Sequence, residues 1–153
     1  MSRIIKSIID NTLLRPGDPV KILYFGSENI IDENTNNIWY STELESNKCS
    51  KISISDIEEN LMYTFNLVLS LEPLKHIQTS TKIADTFNIP LVLYHDRESE
   101  ISSDKLVQLS FDLQKYTNIV INKEIANHYY LYNSIIKTHN NWDNQINEIL
   151  FNN

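Results

Sequence analysis

Glycine is nearly missing from this chain. Gly17 and Gly26 are the two among 153 residues, where an average composition holds about 7%. That shortage excludes the loops that cradle phosphates. The dinucleotide fingerprint needs three glycines so that backbone can approach a pyrophosphate at a helix N-terminus, and "FGSENIID" (25–32) has one. A P-loop must end in Gly-Lys-Ser/Thr, and no such triplet occurs. Cysteine is scarcer still. Cys49 is alone, so an intramolecular disulfide and a cysteine-based zinc centre are both excluded. Positive charge is thin as well. Thirteen Lys and Arg stand against 20 Asp and Glu, for a net charge of -7. The basic residues are spread singly, without the stripe that a phosphate backbone requires, which disfavours nucleic-acid binding. No apolar run approaches the ~20 residues of a membrane span, so none is expected. "MSRIIKSIID" lacks a continuous apolar core, so a secretory leader is not expected either.

Motifs of metal and nucleophilic chemistry are also wanting. His76, His95, His128 and His139 show neither HxH nor HExxH spacing, and no metal or cofactor is expected. No G-x-S-x-G elbow is present for a Ser-His-Asp site. Alanine is scarce while isoleucine and asparagine are abundant. Those residues have AT-rich codons, which suggests a phage, a virus or a low-GC bacterium as the source. The expected setting is the cytoplasm, of a host cell if the protein is viral, or a virion.

What is present is a soluble composition, 41% hydrophobic and 22% charged. One domain, residues 1–153, is expected at this length. Ile4, Ile5, Ile8 and Ile9 have helical spacing, so 1–14 reads as an amphipathic helix. "RPGDP" (15–19) breaks it, and "VKILYFG" (20–26) reads as a buried strand. A polar stretch follows, with a short strand near Ile38 to Ser41 and an edge strand at "KISIS" (51–55). A helix should start at Ser55-Asp56 and run to about Tyr63. Beyond it, strands "NLVLSLE" (66–72), "IPLVLYH" (89–95) and "NIVIN" (118–122) alternate with helices over 74–87, 104–116 and 123–137. A last helix, 142–151, carries Trp142, Ile146, Ile149 and Leu150 as an apolar stripe. It would pack on this domain or dock another subunit.

This alternation predicts βαβ crossovers and hence a parallel sheet. Strands apolar on both faces call for helices on both sides. The expected fold class is therefore α/β, a three-layer Rossmann-like domain with a mostly parallel sheet.

Ligands of such sheets bind beyond the carboxyl ends of the strands. The residues standing there are Gly26, Ser27 and Glu28, then Glu72, then His95, Asp96 and Arg97, and finally Asn122 and Lys123. These are the candidate site residues. His95 is the candidate catalytic group, since imidazole serves as acid, base or hydrogen-bond partner near neutral pH. Asp96 or Glu98 is the candidate orienter of its ring. The plain alternative is that every parallel strand must end in polar residues. Tyr129, Tyr130 and Tyr132, on the 123–137 helix, read as packing and rim.

"FNLVLSLEPLKHIQTSTKIADTFNIPLVLYHD" and "YTNIVINKEIANHY" carry a further signal. Ile89-Pro90, Val92 and His95 fit an "iP-V-x-x-x-H" strand, and Asn122 to Ala126 fit the start of the helix after the next strand. Over residues 18–135 the chain resembles the N-terminal, acceptor-side half of GT-B glycosyltransferases, including short glycosyltransferase-like proteins of phages. The resemblance implies that His95 faces a donor sugar and that Gly26 to Glu28 border the same cleft. The family's paired glycines in the first loop are reduced to Gly26, and its nucleotide-sugar donor half has no counterpart in these residues. The function so implied is a glycosyltransferase-like Rossmann module that binds rather than catalyses. Its partners would be a carbohydrate or a protein, as in a phage particle. The alternative is the acceptor-side subunit of a two-chain glycosyltransferase, its partner being a donor-domain subunit. A third reading is an interaction protein whose acidic surface meets a basic partner.

Overall fold

A computed structural model describes residues 14–59 and 65–151. The expected N-terminal helix falls on residues outside this range, as does the stretch to Tyr63 of the helix after Ser55. Among the described residues seven strands form one sheet. They are β1 (Lys21–Phe25), β2 (Ile38–Ser41), β3 (Cys49–Lys51), β4 (Leu67–Ser70), β5 (Leu91–His95), β6 (Thr117–Val120) and β7 (Ile135–Ile136). Their order is β3-β2-β1-β4-β5-β6-β7, and every pairing between them is parallel. Five helices accompany them: α1 (Ile54–Glu59), α2 (Pro73–Phe87), α3 (Ser103–Leu113), α4 (Lys123–His128) and α5 (Trp142–Phe151). The architecture is α/β and Rossmann-like, and no described helix is long and apolar enough to cross a membrane.

Strand alternation divides the core in two. Leu23, Phe25, Val68, Leu91, Leu93 and Val120 point to one face, where Ile57 of α1, Ile83 of α2, Leu106 of α3 and Ile125 of α4 meet them. Ile22, Tyr24, Leu67, Leu69, Val92 and Ile119 point to the other, against Trp142, Ile146, Ile149 and Leu150 of α5. The apolar stripe of the last helix is thus buried on this domain's own sheet. Fully burying each such aliphatic side chain is worth roughly 1.5–3 kcal/mol, so both faces drive the sheet to be covered.

Most boundaries shift by one to three residues, and two of the differences have a clear local cause. The edge strand expected over 51–55 ends at Lys51. Ser53 Oγ accepts from the Asp56 N–H at 3.1 Å, and Asp56 Oδ2 accepts from the Ser53 N–H at 3.4 Å. This reciprocal cap starts α1 early. The helix expected over 123–137 stops at His128. Tyr130 takes a left-handed φ of 57°, and the Leu131 N–H closes back on Ala126 O at 2.8 Å, a Schellman end. The chain then turns so that Ile135 and Ile136 can pair with the open edge of β6.

Candidate functional site

The carboxyl ends of β1, β4 and β5 open onto a cavity of about 840 Å³, a volume typical of small-molecule clefts. Its position follows from topology. The chain leaves β1 toward β2 and β3, then returns to β4 on the opposite side of β1. The crevice between β1 and β4 is therefore the switch point of the sheet, where open parallel sheets bind ligands. The wall comes from the loop after β1 (27–30), the loop after β4 with the first turn of α2 (71–75) and the end of β5 with its loop (94–99). Tyr129, Lys137, Asn140 and Trp142 complete it.

Glu72 spans the crevice. Its Oε1 accepts from the Ser27 N–H at 3.1 Å and from Ser27 Oγ at 3.0 Å. The Ser27 N–H holds this carboxyl below its ordinary range, partial burial opposes, and the Ser27 hydroxyl, Lys75 and His76 add to the lowering. Gly26 lies just behind the wall. A Cβ there would meet the Tyr24 hydroxyl and come within 2.6 Å of the ring Cζ. Tyr24 curls beneath the turn to donate to Glu28 O at 2.8 Å. The glycine makes room for a tyrosine, not for a phosphate.

His95 is 3% exposed and lines the cavity. Its ring is fixed by Asn118 on the neighbouring strand. Asn118 Nδ2 donates to Leu113 O at 2.8 Å and Tyr116 O at 3.2 Å, so its Oδ1 is the atom left to face His95 Nε2 at 2.9 Å. An amide oxygen only accepts, so Nε2 carries the proton. Burial lowers the His95 pKa, while the Asn118 bond and the Asp96 charge raise it by less. The imidazole is thus neutral near pH 7, and Nδ1 keeps its lone pair with no donor to it among the described residues. The Tyr129 ring packs on the imidazole at 5.1 Å between centroids, and the Tyr129 hydroxyl donates to Arg97 O at 2.8 Å. The result is a rigid, desolvated hydrogen-bond acceptor that can take a ligand hydroxyl or its proton.

Asp96 reaches His95 through charge alone. Its two oxygens are held by Arg97, Nε to Oδ1 at 3.0 Å and Nη2 to Oδ2 at 3.1 Å. The orienting bond that the sequence suggested for Asp96 comes instead from Asn118. Ser27, Glu28, Glu72, His95, Asp96 and Arg97 share the cavity wall; Gly26, Asn122 and Lys123 do not. Asn122 accepts from the Ile125 N–H at 3.0 Å and is consumed in capping α4, which begins at once after β6, a strand further from the switch point. Lys123 follows it into solvent.

Several residues of the cavity and its support escaped sequence reasoning. Asn118 opens the run "NIVIN", where a polar residue is ordinary, and in the structure it follows Thr117 inside β6. Ser99 carried no signal either: its N–H donates to His128 Nε2 at 3.1 Å. That bond occupies the imidazole lone pair, so the pair clips the loop after β5 to α4 rather than making a nucleophile. Lys137 was hidden by the mistaken helix. Among the described residues no group of three or more His, Cys, Asp or Glu could hold a metal ion. Compared with protein-family models, curated proteins and solved structures, the chain matches none, so its functional reading comes from geometry.

Proposed function

We propose that this chain is a carbohydrate-binding module on a Rossmann-like sheet of the GT-B acceptor-side kind, with the switch-point cleft as its site. The observation that carries the reading is His95: a neutral imidazole, locked by Asn118, that lines the cavity and whose Nδ1 has no hydrogen-bond partner among the described residues. A sugar presents many hydroxyl donors, and acceptors fixed in advance select them at little entropic cost. The carboxylates of Glu28 and Glu98 on the same wall add further acceptors. The wall lacks a glycine loop, so phosphate-rich ligands have no cradle. An acceptor hydroxyl seated on Nδ1 could also lose its proton there, the step that an acceptor-side glycosyltransferase subunit would need.

The test is a nitrogen-15 NMR titration of the protein with a panel of neutral and acidic mono- and disaccharides. Shifts should map to 27–30, 71–75 and 94–99 and disappear in His95→Ala while the remaining spectrum stays folded. A panel that leaves those segments unmoved overturns the proposal.

A further inference from the structure

Among the described residues Lys137 is the cation of the cleft that lacks an acidic partner. Lys75 pairs with Glu72 at 3.7 Å and Arg97 with Asp96 at 3.0 Å. Among the described residues no carboxylate lies within ion-pair distance of Lys137. The side chain is held nonetheless. Its Nζ lies 5.2 Å from the centre of the Trp142 ring and donates to His139 O, while its backbone N–H extends the β6–β7 pairing to Val120 O at 2.8 Å. Trp142 in turn packs edge-on against Tyr94 at 5.0 Å, the residue before His95. A lysine ordered by a ring and a carbonyl, facing a cavity in a protein of net charge -7, keeps an unanswered positive charge where acids are plentiful.

We infer that the ligand of the cleft is an acidic sugar of the uronic-acid class, its single carboxylate on Lys137 and its ring hydroxyls toward His95. This deepens the carbohydrate reading above and rests on it. One unpaired cation answers one negative charge. A phosphate monoester would bring up to two charges to a wall where Glu28 and Glu98 are themselves without cationic partners among the described residues, and at full charge it would meet more repulsion than a carboxylate. Lys137 Nζ is held over the Trp142 ring and bonded to His139 O, so its ammonium is placed with little rotamer entropy left to lose.

The matched pairs glucose and glucuronate, and galactose and galacturonate, separate the claims by NMR titration, with glucose 6-phosphate as a control. At low salt one uronate should bind about fivefold more tightly than its neutral partner, the scale of one solvent-accessible ion pair. The advantage should shrink as salt is raised and vanish in Lys137→Met, which keeps an unbranched side chain beside Trp142, so that uronate and neutral sugar bind that variant with about equal affinity. Equal affinity within both pairs, an advantage that survives in Lys137→Met or in high salt, or tighter binding of the phosphate overturns this inference and leaves the carbohydrate site standing. Silence from all four sugars overturns both.

Discussion

Asn118 offers the sharpest test of the site's construction. Its amide serves three partners: His95 Nε2–H at 2.9 Å, Leu113 O at 2.8 Å and Tyr116 O at 3.2 Å. Asn118 is 7% exposed and His95 3%, so water cannot easily replace it. Asn118→Ala leaves the His95 donor without its partner and removes one bond from each of two carbonyls, Leu113 O keeping the bond from the Tyr116 N–H at 3.0 Å. Each buried group so stranded costs about 1–3 kcal/mol. The carbonyls keep other bonding capacity, which brings the total to about 3–5 kcal/mol, a large share of the stability of a typical domain. With a urea dependence of about 2 kcal/mol per molar for a chain of this size, the unfolding midpoint should drop by about 2 M. The companion readout is the tautomer. Long-range nitrogen NMR of wild-type His95 should report a proton on Nε2, and in Asn118→Ala the Nδ1–H form should appear. A midpoint loss under about 0.5 M, or a wild-type proton on Nδ1, would refute the assignment of His95 as a fixed acceptor.

Other outcomes follow from the same contacts. The His95 pKa is lowered by burial, so the folded protein binds this proton less readily than the unfolded chain. Its contribution is therefore full above the ordinary histidine range near pH 6.5 and is lost as pH falls through the depressed value; urea midpoints should decline from pH 7 to 5, and less steeply in His95→Gln. Glu72, whose carboxyl is also lowered, should contribute above its ordinary range and lose that contribution at more acid pH. Gly26→Ala should displace the Tyr24 ring and its bond to Glu28 O, at about 2–3 kcal/mol from overpacking and the lost bond, visible in calorimetry. Ser70 Oγ is buried without a hydrogen-bond partner among the described residues, so Ser70→Ala should stabilise by about 1 kcal/mol; a destabilised variant would reveal a bond that the structure lacks.

Much of the sheet was legible because apolar runs of strand length leave few alternatives. "VKILYFG", "NLVLSLE", "IPLVLYH" and "NIVIN" are β-rich and lie next to polar or breaker residues, and each overlaps a parallel strand. The helices expected over 74–87 and 104–116 start close to those positions, at Pro73 and at Ser103, with Ser102 in the N-cap position but making no side-chain cap bond. Helix signals failed at Tyr130, since nothing local announces that an aromatic residue will adopt φ 57°. Glycine usually takes such positions. In this glycine-poor chain Asn88, at φ 54°, ends α2 in the same way, and asparagine has some tolerance for that region whereas tyrosine has little. The Tyr130 turn exists because β7 has an edge to join, a fact about β6 and not about residues 123–137.

The candidate rim divided along the same line. Position at a strand end can be counted along the chain, which is why Ser27, Glu28, Glu72, His95, Asp96 and Arg97 were named before any contact was known. The bonding partner of each could not be counted. Asn118 lies 23 residues from His95 and Lys137 belongs to a segment that reads as helix.

Composition and periodicity therefore established an α/β chain without phosphate loops, disulfides or a basic stripe, because those properties depend on residue type and spacing along one strand or helix. Which rim groups meet, which nitrogen of His95 holds the proton, and which lysine lacks an acid were decided by the folded sheet alone. Those properties belong to pairs of residues brought within about 3–5 Å by strand order, and strand order is a cooperative outcome of covering both faces of the sheet, written in no single segment.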